Sequence, residues 1–240
     1  MFSFFFGNRR PLPNPLLTDM HSHLLPGVDD GVKTNDEAFA VIDQLMSMGY
    51  EKIITTPHIM TDYYGNTSAS ILTAFEQFLP ILRDNGYTIP FHCAAEYYLD
   101  EKLYEGAANK EKLLTFGDRF VLFETNVVSE PLQLKEFIFS LTSQGYRPVL
   151  AHPERYQYMT IEKAEDLKNR GVCLQINLLS LTGYYGPPMQ KLAEKLIDRG
   201  WVDMLGSDCH NMDQIPLLKK VQQSRLYQKA LSLPLLNHSL

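Results

Sequence analysis

Six short stretches of this chain carry, at or just past their ends, side chains that bind metals or carry protons. LLTDMH and the SH after it supply His21 and His23, KIITTPH ends at His58, and IPFHCAAE ends at Glu96. RFVLFET carries Glu124, RPVLAHP carries His152, and VDMLGSD ends at Asp208 with His210 two residues on. Imidazole nitrogen and carboxylate oxygen suit manganese, iron or zinc, and with no thiolate among them a structural cysteine-type zinc site is excluded. Glu96 or Glu124 is able to bridge two ions, because a carboxylate offers two oxygens and an imidazole one nitrogen toward a given centre. Any one of these residues has a plainer explanation: His21 and His23 alone read equally well as a polar strand end. The joint pattern is what points to a centre, since five of the seven histidines fall at such positions.

Each stretch has the composition of a strand, being rich in β-branched, aromatic or leucine residues, and with VCLQIN, which ends in Asn177, there are seven. Between them run amphipathic segments with helical spacing. In Thr34 to Met48 the apolar positions are Ala38, Val41, Ile42, Leu45 and Met48, and Gly49 supplies a stop. Further helices are expected over about 68–85, 131–144, 161–170, 188–199 and 212–227, several closed by a glycine. Strand and helix in alternation imply parallel βαβ units, and a glycine-rich phosphate loop, the mark of a doubly wound sheet, does not follow the first strand. The expected fold is therefore an α/β architecture, a distorted seven-stranded (β/α)7 TIM-like barrel. In such a barrel all strand C-terminal ends meet on one face. Residues two apart share a side of a strand, so His21 pairs with His23 and Asp208 with His210, and closure would make the first and last strands neighbours.

A chain of 240 residues with 45% hydrophobic and 21% charged residues can bury one large core. Its net charge of −6 and lack of basic runs argue against nucleic acid as a partner. Three cysteines, odd in number and without a C-x-x-C pair, read as buried thiols in a reducing, cytoplasmic setting. No apolar stretch is long enough for a transmembrane segment. MFSFFFGNRR has its basic pair after the apolar run and no cleavage site, so it is not expected to be a secretory signal. Residues 1–15, with three prolines and Phe2, Phe4, Phe5 and Phe6, read as an extended N-terminal arm; residues 16–240 read as a single domain, and LSLPLLNHSL as a loosely attached tail. His92 is expected in the core or behind the site, on the side of Glu96. The oligomeric state is not legible.

H-S-H-x-x-P-G-x-D-D-G, T-P-H, A-E-x-Y-L, H-P-E-R and G-S-D-x-H-N, in this order from Thr18 to Asn211, resemble the PHP (polymerase and histidinol phosphatase) superfamily. Within it, P-G-x-D-D-G and H-P-E-R-Y are similar to the bacterial capsule-locus metal-dependent protein-tyrosine phosphatases. The resemblance implies three divalent ions, manganese foremost and iron or zinc otherwise. It puts His21, His23, Glu96 and Asp208 around the first, Glu96, Glu124 and His152 around the second, and Asp30, His58 and His210 around the third. Asp29 would then shape the turn, a choice between two aspartates that the sequence alone leaves open. Arg155 matches the family arginine on the substrate phosphate; the plainer alternative is a surface ion pair with Glu154. Where family members often have another basic residue after D-x-H-N, this chain has Met212, Asp213, Gln214 and Ile215.

The implied reaction is hydrolysis of a phosphate monoester on a phosphotyrosine protein, with a bacterial tyrosine kinase of the polysaccharide-export type as partner. Tyrosine pairs after three strand ends, Tyr63 and Tyr64, Tyr97 and Tyr98, Tyr184 and Tyr185, would ring the site and stack on a substrate ring, or else pack loops against the barrel. Alternatives are a histidinol-phosphate or other small-molecule phosphatase, an inactive metal-binding interaction module, and an amidohydrolase; the last often has a modified lysine where this chain has Glu124. No general acid is evident.

Overall fold

The computed structural model describes residues 15–240, so the expected arm, apart from Pro15, lies outside the described residues. Among the described residues nine strands appear where seven were expected, because two of the seven are broken. They are β1 (Thr18–Asp19), β2 (Lys52–Thr55), β3 (His58–Ile59), β4 (Phe91–Cys93), β5 (Glu96–Tyr98), β6 (Phe120–Glu124), β7 (Arg147–Ala151), β8 (Cys173–Asn177) and β9 (Met204–Gly206). The break between β2 and β3 falls at Thr56 and Pro57: proline has no N–H to give a ladder, and the Thr56 N–H turns aside to the Ser22 carbonyl at 2.7 Å. The break between β4 and β5 lies beside it, with Ala94 N–H on Thr55 O and Glu96 N–H on Pro57 O.

The result is two parallel sheets, β1-β2-β4 and β3-β5-β6-β7-β8-β9, in place of one continuous seven-stranded sheet. The first and last strands are neighbours through a parallel bridge from Ser22 to Cys209, a bond from Asp208 N–H to His21 O at 2.8 Å and one from His23 N–H to Cys209 O at 2.9 Å.

The helices follow the apolar periodicity. They are α1 (Asn35–Ser47), α2 (Ser68–Asp84), α3 (Glu101–Ala108), α4 (Leu134–Ser143), α5 (Ile161–Asn169), α6 (Pro187–Asp198), α7 (Ile215–Gln222) and α8 (Arg225–Ala230). In α1 the Thr34 side chain accepts the Glu37 N–H, acids occupy the first turn, and Ala38, Val41, Ile42 and Leu45 are buried. The single helix expected over 212–227 is instead a 3-10 turn (Met212–Gln214) followed by α7 and α8, because Pro216 starts a new first turn and Ser224 caps another. α3 was not foreseen; eight residues capped by Asp100 give too short a pattern to read.

Most buried apolar side chains form one cluster between strands and helices. A second cluster, with Met20, Ile54, Ala94, Leu122, Val149, Ala151 and Met204, draws on β2, β6, β7 and β9 and the flanks of β1 and β4, and Cys173 of β8 packs against it. The tail is not loose. Leu236 and Leu240 pack on that second cluster, and buried Asn237 gives its side-chain N–H groups to Thr18 O and Leu205 O while accepting the Leu205 N–H. His92 is exposed, because the break after Cys93 stops the alternation from running on to Glu96. Cys209 is buried and Cys93 and Cys173 are partly so, all unpaired. No helix among the described residues is long and apolar enough to cross a membrane.

Candidate metal centre

The strand ends and the segments just beyond them deliver the side chains. His21 and His23 follow β1 and are completely buried, with Ser22 between them tied by its carbonyl to Thr55 and Thr56. Beyond them the chain folds back so tightly that a Cβ on Gly31 would lie 2.1 Å from the His23 carbonyl oxygen; only glycine allows the loop to return Asp29 and Asp30 to the histidines. His58 opens β3 and stands in register with Glu96, which opens β5; Glu124 ends β6, one strand over. His152 and Asp208 both adopt left-handed backbone, φ 33° and 52°, which turns each side chain inward where a continuing strand would carry it past.

Three groups of donor atoms result, each with all atoms within 4.8 Å of one another. His21, His23, Glu96 and Asp208 form the first, the group that the resemblance implied. His23, Asp30, His58 and His210 form another, which adds His23 to the three residues assigned there. The last is His58, Glu96 and Glu124, where His152 had been assigned. His58 Nδ1 lies 3.3 Å from both glutamates, whereas His152 Nε2 is 3.1 Å from Glu96 and 3.8 Å from Glu124. All nine side chains are thus brought together, with Glu96, completely buried, at the junction.

The hydrogen bonds around them are those of ligands held for a metal. His23 Nδ1 contacts Asp29 Oδ2 at 2.8 Å, His21 Nδ1 contacts Gln175 Oε1 at 2.9 Å, and His210 Nδ1 contacts the Asp208 carbonyl at 2.9 Å, so the three Nε2 atoms face the carboxylates. The Nδ1 atoms of His58 and His152 are buried and have no hydrogen-bond partner. Imidazoles and carboxylates crowded together with orphaned nitrogens fit a divalent cation. Electrostatics agree. Burial works against charge on His21, but Glu96 and Asp208 overcome it and raise its pKa to about 9. Burial likewise opposes, and Asp29 more than restores, the charge on His23, whose pKa is raised well above the usual value. Against burial, His21 holds both Glu96 and Asp208 well below the carboxylate range. The site demands positive charge, and protons meet the demand when metal does not.

Asp29, left open by the sequence, is buried and binds the N–H groups of Gly31 and His58 besides His23. Gln175 and Asn177 were missed as partners. The Asn177 amide donates to Asp208 Oδ2 at 2.6 Å. The signal was the Q-x-N spacing at the end of β8, which puts both amides on one face as His21 and His23 are.

Arg155 does not pair with Glu154, which is buried and accepts from Asn177 N–H and Ser180 Oγ. Its Nη1 donates to Asp208 Oδ2 at 3.0 Å and its guanidinium lies 4.6 Å from the Tyr185 ring centre. The cavity above the centre, about 430 Å³, includes Asp30, Glu124, Arg155, Tyr63, Tyr64 and Tyr98 in its wall. Arg155 is the one arginine or lysine among the described residues lining it. Position 214 serves the centre differently: Gln214 accepts the His210 N–H at 2.6 Å. Tyr64 stacks on His58 with rings 7° from parallel, and Tyr63 is 77% exposed. Tyr97 is a correction. It is buried on the opposite side of β5 from Glu96 and Tyr98, with its hydroxyl on Ser68 Oγ and Leu114 N–H, as strand alternation requires. Tyr184 and Tyr185 do not line the cavity, and Tyr185 reaches it only through Arg155.

Residues 17–230 match the family model described as capsular polysaccharide synthesis, CpsB/CapC. The chain is 28% identical over 206 residues to a putative tyrosine-protein phosphatase CapC of Staphylococcus aureus, covering 85% of this chain and 81% of that one. It is 27% identical over 207 residues to the tyrosine-protein phosphatase CpsB of Streptococcus pneumoniae, covering 83% and 85%. Among solved structures it is similar to one from a study of YwqE from Bacillus subtilis and CpsB from Streptococcus pneumoniae, described as unique metal-dependent tyrosine phosphatases. That likeness has a TM-score of 0.73 at 26% identity and covers 88% of this chain and 89% of the other.

Proposed function

The chain belongs to the CpsB/CapC family of capsular polysaccharide synthesis, and from that membership we propose that it is a metal-dependent protein-tyrosine phosphatase. The observation that carries the reading is the convergence of nine imidazole and carboxylate side chains with Arg155 around one cavity. In this reading His21, His23, Glu96 and Asp208 hold one divalent ion, Glu96, Glu124 and His152 a second, and Asp30, His58 and His210 a third. Manganese is the ion proposed, and iron or zinc suits the same donors. When bound, the ions supply Lewis acidity and a water of lowered pKa.

The protein's own groups do the rest. Arg155, over the Tyr185 ring and tethered to Asp208 through Nη1, keeps further N–H donors free for phosphate oxygens. Tyr64 and Tyr98 flank the phosphotyrosine ring, while Tyr63, exposed at the rim, meets the flanking peptide. A phenolate with a pKa near 10 is a better leaving group than an alkoxide, so the site can work without a dedicated general acid. The protein substrate is a bacterial tyrosine kinase of the capsule or exopolysaccharide system, acted on in the cytoplasm. The two sheets make up a distorted (β/α)7 barrel, joined through Ser22 and Cys209, that forms a single domain over 16–240 behind the arm.

The test is an assay of chelated protein given manganese, zinc or iron, against a phosphotyrosine peptide, a phosphoserine peptide and histidinol phosphate. Turnover of the first, restored by metal and abolished by His21→Ala or His152→Ala, is expected. Metal-independent turnover, or preference for histidinol phosphate, would overturn the assignment.

A further inference from the structure

β8 contributes no ligand-type side chain to the centre, yet its Gln175 is completely buried against His21. The orientation of its amide follows from a backbone group. The His152 N–H points at the same Gln175 atom, at 3.4 Å, that His21 Nδ1 meets at 2.9 Å. A backbone N–H only donates, so that atom is the amide oxygen, and an oxygen facing His21 Nδ1 requires the proton to be on Nδ1. His21 Nε2, 3.1 Å from Glu96 and 3.3 Å from Asp208, is then the nitrogen with a lone pair for a cation once the ring is neutral.

Two features set this arrangement apart from ordinary core filling. Gln175 Nε2 is buried with no partner, an unfavourable state that an apolar side chain of the same length would avoid. Gly206 on the next strand leaves room for both residues, since a Cβ there would lie 2.6 Å from His21 Cβ and 2.9 Å from Gln175 Nε2. The amide is kept for its oxygen.

We infer that Gln175 is a positioning residue that fixes the Nδ1–H tautomer and ring orientation of His21 and thereby sets the affinity of the first ion. The inference rests on the metal-centre reading above and goes beyond it by assigning a role to a side chain that touches neither ion nor substrate. A stronger acceptor at the same place makes the imidazole a better donor, and loss of the acceptor frees the ring to turn or to take the other tautomer.

The experiment compares wild-type protein with Gln175→Met, Gln175→Glu and His21→Ala. It measures zinc affinity by chelator competition, bound-metal stoichiometry, thermal stability of the chelated form, and the His21 Nδ1–H resonance of the zinc-loaded form. Gln175→Met should bind the first ion roughly 10- to 100-fold more weakly and lose the protected Nδ1–H signal, with chelated stability near that of the wild type. Gln175→Glu should keep the signal and bind at least as tightly as the wild type. Wild-type affinity in Gln175→Met, or weakened binding in a folded Gln175→Glu, overturns the inference; the second comparison stands even if Gln175→Met does not fold. His21→Ala separates the two levels. If it retains full stoichiometry and affinity, the metal assignment itself has failed.

Discussion

Chelation should uncover a pH dependence of stability that the metal-loaded protein lacks. In the metal-free state His21 has its pKa raised from 6.5 to about 9, because Glu96 at 3.1 Å and Asp208 at 3.3 Å overcome the cost of burial. A basic group whose pKa is higher folded than unfolded adds stability that is fully present below the unfolded value. That stability is lost as the pH climbs through the folded value. The window is therefore 6.5 to about 9. At about 1.4 kcal/mol per pH unit, the full effect is about 3 kcal/mol, which for a domain of this length lowers Tm by roughly 6–12 °C. His23, also raised, acts in the same direction. Metal displaces these protons, so the loaded protein should cross the window with little change from this source, and the buried thiols, raised in both forms, cancel in the comparison. The assay is differential scanning calorimetry of chelated and loaded protein between pH 6 and 9.5, with His21→Gln as control. Parallel curves for the two forms, or an undiminished slope in chelated His21→Gln, would refute the reasoning.

Three further outcomes are expected. Arg155→Met should lower kcat/KM for a phosphotyrosine peptide by about 10²- to 10³-fold while metal stoichiometry stays unchanged, since the side chain lines the cavity, where it is proposed to meet phosphate, and is not among the grouped ligand atoms. Tyr97→Phe should cost about 1–3 kcal/mol in denaturant unfolding, by stranding Leu114 N–H, and leave KM alone, whereas Tyr64→Ala should raise KM roughly 2- to 10-fold. Asn237→Leu should destabilise by several kcal/mol, at about 1–3 kcal/mol for each buried group left unpaired, with activity per folded molecule retained.

Apart from Asp30, which the resemblance alone supplied, the ligand-type residues were legible because each sits where a strand pattern stops, and a parallel α/β chain brings such positions to one face. What the sequence hid lies at the irregularities. Thr56 and Pro57 split a strand that composition alone reads as continuous, and the parallel break beside Cys93 turns His92 outward. Alternation would have removed Tyr97 from the rim had the residue been counted from Glu96 along β5 and not taken as half of a tyrosine pair. Which donor atoms crowd most closely was not legible, because left-handed backbone at His152 and Asp208 re-aims both side chains by more than any periodic pattern can express. Asn237 was hidden for a simpler reason: a short leucine-rich tail looks alike whether it is solvated or holds strands together.

That last contact governs the order in which the molecule can be completed. The Thr18 carbonyl at the very first strand waits for an amide 219 positions later, and the same amide serves Leu205 on β9. During synthesis the helices and strands can assemble as they emerge and the seam can zip at Ser22 and Cys209, but its Asn237 bonds are missing until residues 236–240 have been made. A chain that stops after α8 would therefore keep its ladder bonds but leave the inner apolar cluster uncovered on the side where Leu236 and Leu240 pack.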